Sequence, residues 1–484
     1  MGNKLKIAGW ISIGALAGAL TTVSLQTGAR SSAMAPLPLE ELQQLAAVFS
    51  MVKSDYVEPV DEKKLITEAI NGMVSSLDPH SQYFDKKSFK EFSEGTTGRF
   101  VGVGIEITQE EGVIKIVSPI EGSPADRAGL KTNDLITRID DTQVKGLSLN
   151  EAVKRMRGEP NTKVVLTILR REDNNRSFKV TITREEIKTQ SVKAKLIEPG
   201  YAWIRVSQFQ DRTTEDFARK LEEIYKQQND LKGLVLDLRN DPGGLLESAV
   251  ALSSAFLPEN VTIVSTNGQL EDSKFSYKAN PEFWRRKPSN DPITHLTETT
   301  RGLFKTLPLV VLVNEGSASA SEIVSGALQD YKRATLMGSQ TFGKGSVQTV
   351  RQLGPDTALK ITTARYYTPS GRSIQAKGIV PDILLDETEN GNLFASLRTR
   401  EADLQKHLSN GNETEKQDPA REKAREDALR KLEEESRKPA SERRLPEFGS
   451  DKDFQLQQAI RQLKGLPVKA STALAERPAE KKAE

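Results

Sequence analysis

The chain has 484 residues, with 69 lysines and arginines against 67 aspartates and glutamates, three histidines and no cysteine. The near balance of charge argues against a nucleic-acid partner, and the length allows several domains. Without cysteine there can be no disulfide, thiolate catalysis or cysteine-ligated metal, and three histidines without an HExxH motif argue against a zinc hydrolase. We therefore expect neither a metal nor another cofactor.

The N-terminus has the pattern of an export signal. Lys4 and Lys6 precede an uncharged stretch, residues 7–27, and small residues continue to Ala35. Cleavage after Ala35 fits this pattern, although Pro36 follows directly. The uncharged stretch is also long enough to span a bilayer, so an uncleaved membrane anchor remains open. In both cases the bulk of the chain is predicted to lie outside the cytoplasm.

The next stretch is predicted to be helical. Apolar residues recur every three or four positions in LEELQQLAAVFSMVKSDYV, and a second helical pattern, KKLITEAINGMVSSL, ends at the turn DPHSQY. Such helices are marginal in water without a partner, so we expect them to take part in assembly. His80 in the turn is interpreted as a capping or packing residue.

Residues 98–186 form a second unit of short strand-like runs and one helix, SLNEAVKRMRG, which indicates a small, partly open β-barrel. The loop GVGI, followed by GSPADRAGLKTNDLI, resembles a PDZ domain. The resemblance implies that loop N–H groups hold a peptide's terminal carboxylate while the peptide adds to the sheet edge. The implied substrate-binding residues are Gly102, Val103, Gly104, Ile105, Leu149, Val153 and Met156.

From Tyr201 to about Asp386, strand-like and helical patterns alternate, which predicts an α/β layer with a largely parallel sheet. The loop DLRNDPGG follows the run GLVLDLR, and the loop NEGSAS follows the run PLVVLVN. Because open α/β sheets place their sites at the carboxyl ends of strands, we expect these two loops to lie near each other.

The remainder, residues 387–484, differs in composition. Charges of both signs crowd residues 413–444, which predicts a solvated helix or a disordered segment. The amphipathic stretch DFQLQQAIRQLKGL follows, and it has no evident place in the core. We expect this helix, like the N-terminal ones, to serve assembly, with packing within the chain as the alternative.

Three serines alternate in NEGSASASE, between an apolar run and an amphipathic helix. A catalytic serine here would need a base. The motif alone favours a structural interpretation, because Ser319 and Glu322 form the S-x-x-E pattern of a helix capping box. The residues alone leave both interpretations open.

Two residues are candidates for the base. His295 lies in the polar stretch SNDPITHLTETT and is interpreted as a surface residue of a loop. Lys344 lies between Gly343 and Gly345 in TFGKGSVQTV. A phosphate-binding P-loop is excluded there because Gly345, rather than Ser or Thr, follows the lysine.

Taken together, the motifs resemble the carboxyl-terminal processing peptidases, which are serine endopeptidases with an inserted PDZ domain. Besides GVGIEI and GSPADRAGLKTNDLI, the matching stretches are LVLDLRNDPGGLL, VLVNEGSASASEIVSGALQD, GSQTFGKGSVQ and YYTPSGRSIQAKGIVPDI, in family order. With the N-terminal helices, the resemblance extends from about residue 40 to 386. The segments READLQKHL and DFQLQQAIRQLKGL resemble the Gram-negative branch.

The implied fold is an α/β peptidase core with an inserted PDZ domain and helical N- and C-terminal segments. The implied divisions are a signal or anchor (1–36), a helical segment for dimerisation and core capping (37–97), the PDZ domain (98–186), the Ser/Lys peptidase core (187–386) and a charged C-terminal region (387–484). Residues 281–300 are longer than the family leads us to expect, and they are interpreted as an insertion near the substrate entrance or an adaptor surface.

The resemblance also implies catalytic roles. The middle serine of the loop, Ser319, is the predicted nucleophile; Lys344 is the predicted general base; and Gln348 is predicted to hold the lysine amine. The predicted oxyanion donors are the backbone N–H groups of Ala320 and Gly243.

The resemblance implies cleavage of exported proteins in the periplasm, after the PDZ domain has engaged their C-terminal region. The alternative is a catalytically silent, membrane-tethered PDZ scaffold or adaptor. Expected partners are protein substrates, further copies of the chain and a helical-repeat lipoprotein adaptor. No nucleic acid is expected, and membrane contact is expected through the N-terminal segment alone.

Overall fold

The structure is a computed structural model. It describes residues 38–110, 112–171, 173–284, 291–392, 399–410 and 448–471. The predicted signal or anchor and the charged stretch 413–444 lie outside the described residues, as does the middle of the predicted insertion, residues 285–290. Within the described ranges, no helix is both long enough and apolar enough to cross a membrane.

The chain divides into two compact units after Ile70. Helix α1 (Leu39–Asp55) belongs to the first unit, and α2 (Glu62–Ser75) begins in it, which confirms the two predicted helices. Lys53 and Glu62 form an ion pair of 2.7 Å between them. Within the single chain, α1 leaves large apolar side chains exposed, at Leu39, Leu42, Leu45, Val48 and Met51.

The second unit opens with β1 (Gln82–Phe84), α3 (Lys86–Thr97) and β2 (Arg99–Gly102). The PDZ elements follow: β3 (Ile105–Glu110), β4 (Val113–Pro119), α4 (Pro124–Arg127), β5 (Leu135–Ile139), β6 (Thr142–Gln143), α5 (Leu149–Met156), β7 (Lys163–Arg170), β8 (Arg176–Thr183) and β9 (Glu185–Lys188). Because β2 and β9 pair in antiparallel fashion, the chain enters and leaves the PDZ domain at the same place. This pairing is what an inserted domain requires.

The PDZ sheet is antiparallel, in the order β3–β4–β5–β7–β8, with β6 paired to β5. Its core is apolar and centred on Ile114, Ile116, Ile136, Leu166 and Ile168. Helix α5 starts at a capping box between Ser148 and Glu151 and buries Ala152 and Met156. Since β3 is the terminal strand of this order, it offers an edge to which a peptide can add.

The peptidase core follows in chain order. Its elements are β10 (Val192–Glu198), β11 (Tyr201–Val206), α6 (Thr213–Gln227), β12 (Gly233–Asp237), α7 (Leu246–Phe256), β13 (Thr262–Gly268), β14 (Phe275–Lys278), α8 (Pro292–Thr299), α9 (Leu303–Thr306), β15 (Leu309–Val313), α10 (Ala320–Asp330), β16 (Thr335–Gly338), β17 (Ser346–Gln352), β18 (Ala358–Tyr367) and β19 (Ile383–Leu384). The predicted alternation of strands and helices is confirmed.

The main sheet has the order β10–β11–β12–β15–β16–β19, and every pairing except that of β10 with β11 is parallel. A second, antiparallel sheet has the order β1–β18–β13–β14, with β17 on β18. Strand β17 begins two residues after Lys344, so the second sheet carries the predicted base while the main sheet carries the serine loop.

The main sheet is covered on both faces. In β12, Leu234 and Leu236 pack with the apolar sides of α6, α7 and α10, whereas Val235 points to the opposite face. This alternation follows from the two-residue repeat of a strand, and burial on both faces explains the continuous apolar runs of the parallel strands.

The opposite face is covered by the C-terminal helix α11 (Phe454–Leu463), which buries Phe454, Leu456, Ala459 and Ile460 against it. The alternative to assembly, packing within the chain, is therefore what the structure shows for this helix. The apolar side of α11 is buried within the chain, because helices α6, α7 and α10 cover only the other face of the main sheet.

Candidate active site

The two loops predicted to lie together do so. Strands β12 and β15 are parallel neighbours, so the loops after them leave the same edge of the sheet. The side chain of Asn314 accepts from the Asn240 N–H and donates to the Asn240 Oδ1, both at 2.8 Å. The Ala318 N–H donates to the Asp241 carbonyl at 2.9 Å. Residues 237–244 and 314–319 therefore form one hydrogen-bonded unit.

The three alternating serines have different environments. The Ser317 hydroxyl donates to the Leu238 carbonyl at 2.7 Å, and that of Ser321 donates to the Asp241 carbonyl at 2.9 Å, so both are buried structural contacts. Ser319 is half-buried and precedes α10 directly. Its φ of 56° and ψ of −111° lie where residues other than glycine are strained. A strained turn from loop to helix presents the Ser319 side chain at the helix N-terminus, where developing negative charge is favoured.

Glu322, in the first turn of α10, is fully buried and binds both functional loops. Its Oε2 accepts from the Ser319 N–H at 2.8 Å and from the Lys344 N–H at 2.9 Å. Its Oε1 accepts from Gly343 N–H at 2.7 Å and from the Thr341 hydroxyl at 2.5 Å. The capping interpretation of Glu322 is thus confirmed for the Ser319 N–H, but the carboxylate also fixes the loop of the predicted base.

Burial raises the pKa of Glu322 to about 7, despite the hydrogen bonds that Thr341 and the backbone donate to it. The pKa of Lys344 is lowered, chiefly because burial penalises its charged form and secondly because Lys360 is also positive. Glu401, Glu322 and Asp78 face the same lysine and act in the opposite direction. A lysine with a lowered pKa is more often neutral, which a general base requires.

Gln348 lies on β17, opposite Thr362 of β18. Its Nε2 donates to the Ser346 hydroxyl at 3.0 Å and to the Thr362 hydroxyl at 3.3 Å. The donors of the amide are therefore engaged within the second sheet. If Gln348 holds the lysine amine as predicted, its Oε1 is the atom that accepts.

The predicted oxyanion donors are neighbours. Gly243 has a φ of 94°, and a Cβ at this position would lie 2.8 Å from both the Ala320 nitrogen and the Ser319 Cβ. Glycine is required here because a side chain would fill the space beside the serine. The Gly243 N–H, however, donates to Asp241 Oδ1 at 2.8 Å. An incoming oxyanion would have to share or replace that carboxyl oxygen, which the sequence did not predict.

Asp241 is itself unusual. It is fully buried, and its Oδ2 has no hydrogen-bond partner among the described residues. Burial raises the pKa of Asp241 well above its usual value. A carboxyl group in such surroundings favours its neutral form.

Tyr366, in the motif YYTPSG, is a site residue that sequence reasoning missed. Its side chain is buried, and its hydroxyl donates to the Lys344 carbonyl. Burial, reinforced by the charge of Glu322, raises the pKa of Tyr366 well above its usual value. The tyrosine therefore remains a neutral hydroxyl that contacts the backbone of the predicted base.

A cluster of buried charged side chains holds the loop 237–244 in place. The Arg239 guanidinium donates to both oxygens of Asp237, at 2.9 and 2.6 Å, and to both oxygens of Asp453, at 2.9 and 2.7 Å. Asp453 caps α11, so the C-terminal helix is joined by charge to the loop that carries Gly243. The Arg239 charge and hydrogen bonds lower the pKa of Asp237 against the effect of burial, which alone would raise it.

His295 lies on helix α8, not in a loop as predicted. The Asp291 side chain accepts from two N–H groups of the first turn, and Pro292 follows, a pattern typical of a helix start. The His295 side chain is 69% exposed and lies 3.7 Å from Glu222, in keeping with a surface residue.

Around the predicted PDZ pocket, Gly102 ends β2, Ile105 begins β3, and Val103 is buried between them. Leu149 and Val153 on α5 are half-buried, whereas Met156 is buried in the domain core. Val103 and Met156 are thus less accessible to a peptide than we expected. Among the described residues, no cluster of acidic and histidine side chains suits a metal ion.

Three family models match the chain. Peptidase family S41 matches residues 200–385, a PDZ domain matches residues 115–170, and the N-terminal domain of the activating protease CtpB matches residues 12–88. The S41 match ends before residue 399, so the segments 399–410 and 448–471 lie beyond it.

The chain is similar to named proteases. A carboxy-terminal-processing protease of Bartonella bacilliformis is 43% identical over 350 residues, which cover 72% of this chain and 76% of that protein. A Staphylococcus aureus protein named as a probable CtpA-like serine protease is 39% identical over 71% of this chain, and the match spans 65% of that relative's length.

Among solved structures, the photosystem II D1 C-terminal processing protease is 29% identical, with 71% of this chain and 86% of that chain covered and a TM-score of 0.40. The PDZ domain of a Vibrio cholerae carboxy-terminal protease, solved with a peptide, is 26% identical over 19% of this chain and 99% of its own, with a TM-score of 0.18. On the strength of the Bartonella match, the chain belongs to the carboxy-terminal-processing serine proteases, the PDZ-containing members of peptidase family S41.

Proposed function

We propose that this protease cleaves peptide bonds with Ser319 as nucleophile and Lys344 as general base, while Gln348 orients the lysine amine. The observation that carries the proposal is the shared carboxylate oxygen of Glu322, which holds the backbones of Ser319 and Lys344 together. The strained backbone of Ser319 and the lowered pKa of Lys344 agree with these roles.

The lysine must be neutral to accept a proton. With an ordinary pKa near 10.4, only about one lysine in 2,500 is neutral at pH 7. A base that works near neutral pH needs a pKa of about 7–8, a shift of roughly 3 units or 4 kcal/mol against the charged form. Burial of Lys344 acts in this direction, and Lys360 adds to it.

In the proposed reaction, neutral Lys344 takes the proton of Ser319 as Oγ attacks the scissile carbonyl carbon. Negative charge develops on the carbonyl oxygen, where the Ala320 N–H is the first proposed donor and the Gly243 N–H the second. The protonated lysine then returns its proton to the leaving amine. A water molecule, activated by the same lysine, hydrolyses the acyl-serine ester.

We further propose that the PDZ domain selects substrates by their C-terminal ends. The terminal position of β3 in its sheet leaves an edge for strand addition, next to the loop Gly102–Ile105. The half-buried Leu149 and Val153 would then contact the peptide's last apolar side chain. The peptide bound to the Vibrio cholerae PDZ domain supports this use of the domain.

We also propose that the protease works in the periplasm, exported or anchored by its N-terminus, and that it self-associates through α1 and α2. The exposed apolar side chains of α1 support self-association, because a short amphipathic helix is marginal without a partner. A helical-repeat lipoprotein is the proposed adaptor.

In light scattering, the double variant Leu45→Glu and Met51→Glu should lower the molar mass, whereas Gln44→Glu should not. A monomeric wild type would contradict this proposal.

Incubation of the purified protein with unfolded β-casein tests the catalytic proposal. We expect wild type to degrade casein and Ser319→Ala and Lys344→Ala to leave it intact. Equal cleavage by wild type and Ser319→Ala would refute the assigned nucleophile, and intact casein with all three proteins would favour the silent scaffold.

For the PDZ proposal, a peptide substrate with an amidated C-terminus should show a higher KM than the same peptide with a free carboxylate.

A further inference from the structure

The segment 399–410, which contains READLQKHL, lies against the loop of the predicted base. The Glu401 N–H donates to the Phe342 carbonyl at 3.1 Å. The Arg400 guanidinium donates to the Gln340 side chain at 3.2 Å and to the Lys377 carbonyl at 2.9 Å. The segment is therefore bound to residues 340–342, just before Lys344, although it lies outside the matched S41 range.

The side chain of Glu401 is fully buried and has partners on both sides. Its Oε1 accepts from the Gln375 amide at 2.9 Å, and the Gln375 Oε1 accepts from the Gly345 N–H at 3.0 Å. Glu401 thus holds the loop that carries Lys344 on both sides of the lysine. Its backbone N–H contacts the loop before Lys344, and its side chain, through Gln375, contacts the loop after Lys344.

His80 provides the second partner. Its Nε2 lies 2.7 Å from the Glu401 Oε2, and only 14% of the His80 side chain is exposed. The turn that carries His80 precedes β1, which pairs with β18. Histidine and glutamate come from segments on either side of the peptidase core in the sequence, and they meet next to the loop that carries the predicted base.

We propose that Glu401, oriented by His80 and Gln375, is a positioning residue that supplies a buried negative charge beside Lys344 and fixes the loop around it. The proposal rests on Lys344 being the base. Glu401 never touches the substrate in this account. It sets the direction of the lysine side chain and balances part of its charge.

The charge of Glu401 should shift the pKa of Lys344 in a definite direction. The charged groups that face Lys344 are Lys360 on β18, Glu401, Glu322 on α10 and Asp78 in the His80 turn. A negative charge stabilises protonated lysine, so Glu401 opposes the lowering of the lysine pKa by burial. Removing the charge should therefore lower the pKa of Lys344 further, while the loss of orientation should slow proton transfer.

The experiment is a pH profile of kcat and KM for Glu401→Gln in the full-length protease with a peptide substrate. We expect the acid limb of the kcat profile to move to lower pH by about 0.5–1 unit. The plateau should fall roughly tenfold, with KM unchanged, because orientation of the base is impaired. The variant Asp403→Asn, which removes the same charge two residues along the segment, should leave the acid limb in place.

A lower plateau with an unmoved acid limb would overturn the proposal, since a merely structural residue would behave in that way. If Glu401→Gln does not fold, variants of His80 provide the test instead. His80→Ala should lower the kcat plateau, and His80→Gln, which keeps an N–H donor, should restore part of it. A wild-type kcat plateau in His80→Ala would overturn the proposal. Ser319→Ala and Lys344→Ala are measured alongside. Cleavage by either refutes the dyad, whereas failure of the Glu401 result alone leaves the dyad standing.

Discussion

The backbone N–H groups of Ser319 and Lys344 donate to one oxygen of Glu322, at 2.8 and 2.9 Å. A carboxylate can accept at both oxygens, whereas an amide has one acceptor oxygen and an NH₂ donor. In the variant Glu322→Gln, an NH₂ group replaces one of the two oxygens, and both oxygens accept backbone N–H groups from the two loops. At least one of the loops would therefore meet a donor in place of an acceptor. We expect kcat to fall by about 10²-fold, since small displacements of reacting groups have effects of this size.

The control for Glu322→Gln is Glu298→Gln, which changes an exposed carboxylate on α8. Near-ultraviolet circular dichroism of both variants should match wild type at the assay temperature. A folded Glu322→Gln variant with the wild-type kcat would show that the shared carboxylate is unimportant for alignment.

The pH dependence follows from the lowered pKa of Lys344. The base is active when neutral, so the rate should rise with pH and level off below the ordinary lysine pKa of about 10.4. The variant Lys344→Arg keeps the positive charge but cannot lose its proton, and it should be inactive throughout. A rate that falls between pH 6 and 8, or activity in Lys344→Arg, would exclude lysine as the base.

Tyr366 offers a milder test of the same geometry. Its hydroxyl donates to the Lys344 carbonyl. Tyr366→Phe removes this hydrogen bond and leaves the ring in place, and the Lys344 carbonyl loses a buried partner. We expect kcat to fall about tenfold, equivalent to one hydrogen bond, with KM unchanged. A change confined to KM would indicate instead that Tyr366 contacts the substrate.

Asp241 predicts a pH-dependent stability. Because burial raises its pKa in the folded protein, the stability that its neutral form provides is fully present below the unfolded pKa, near 3.8. That stability is lost as the pH rises through the raised, folded value. Asp241→Asn is always neutral and keeps an acceptor for the Gly243 N–H, so its Tm relative to wild type should increase between pH 5 and 8. A constant or decreasing difference in Tm would contradict the raised pKa.

Asp453 should matter for stability more than its distant sequence position suggests. Asp453→Asn leaves the Arg239 guanidinium buried beside one carboxylate fewer, and breaking such a pair typically costs about 3–5 kcal/mol. Urea unfolding should show a lower midpoint with an unchanged slope. Asp451→Asn, an exposed neighbour, is the matched control and should unfold like wild type.

The sequence predicted the parts of the site that depend on local pattern. Strands, helices and the meeting of the loops 237–244 and 314–319 follow from alternation and from the rule for parallel sheets. His295 lies on a helix and not in the predicted loop because Asp291 caps the first turn and Pro292 fits its first position.

The remaining site contacts join residues far apart along the chain, for which periodicity gives no register. Tyr366, Glu401 and Asp453 each sit in recognisable motifs, but their partners, Lys344, His80 and Arg239, depend on tertiary packing. The place of α11 could not be predicted for the same reason, because an amphipathic stripe shows that a helix is covered without showing by what.

Acylation of the serine tests the central claim most directly. A β-lactone opens on an activated hydroxyl and leaves an ester, which adds its mass to one residue of the protein. After digestion, mass spectrometry should locate this adduct at Ser319 in the wild type and find it formed at least about 10²-fold more slowly in Lys344→Arg, the range expected of a general base. An adduct at Ser317 or Ser321, or equal rates with and without the lysine, would contradict the Ser319–Lys344 assignment.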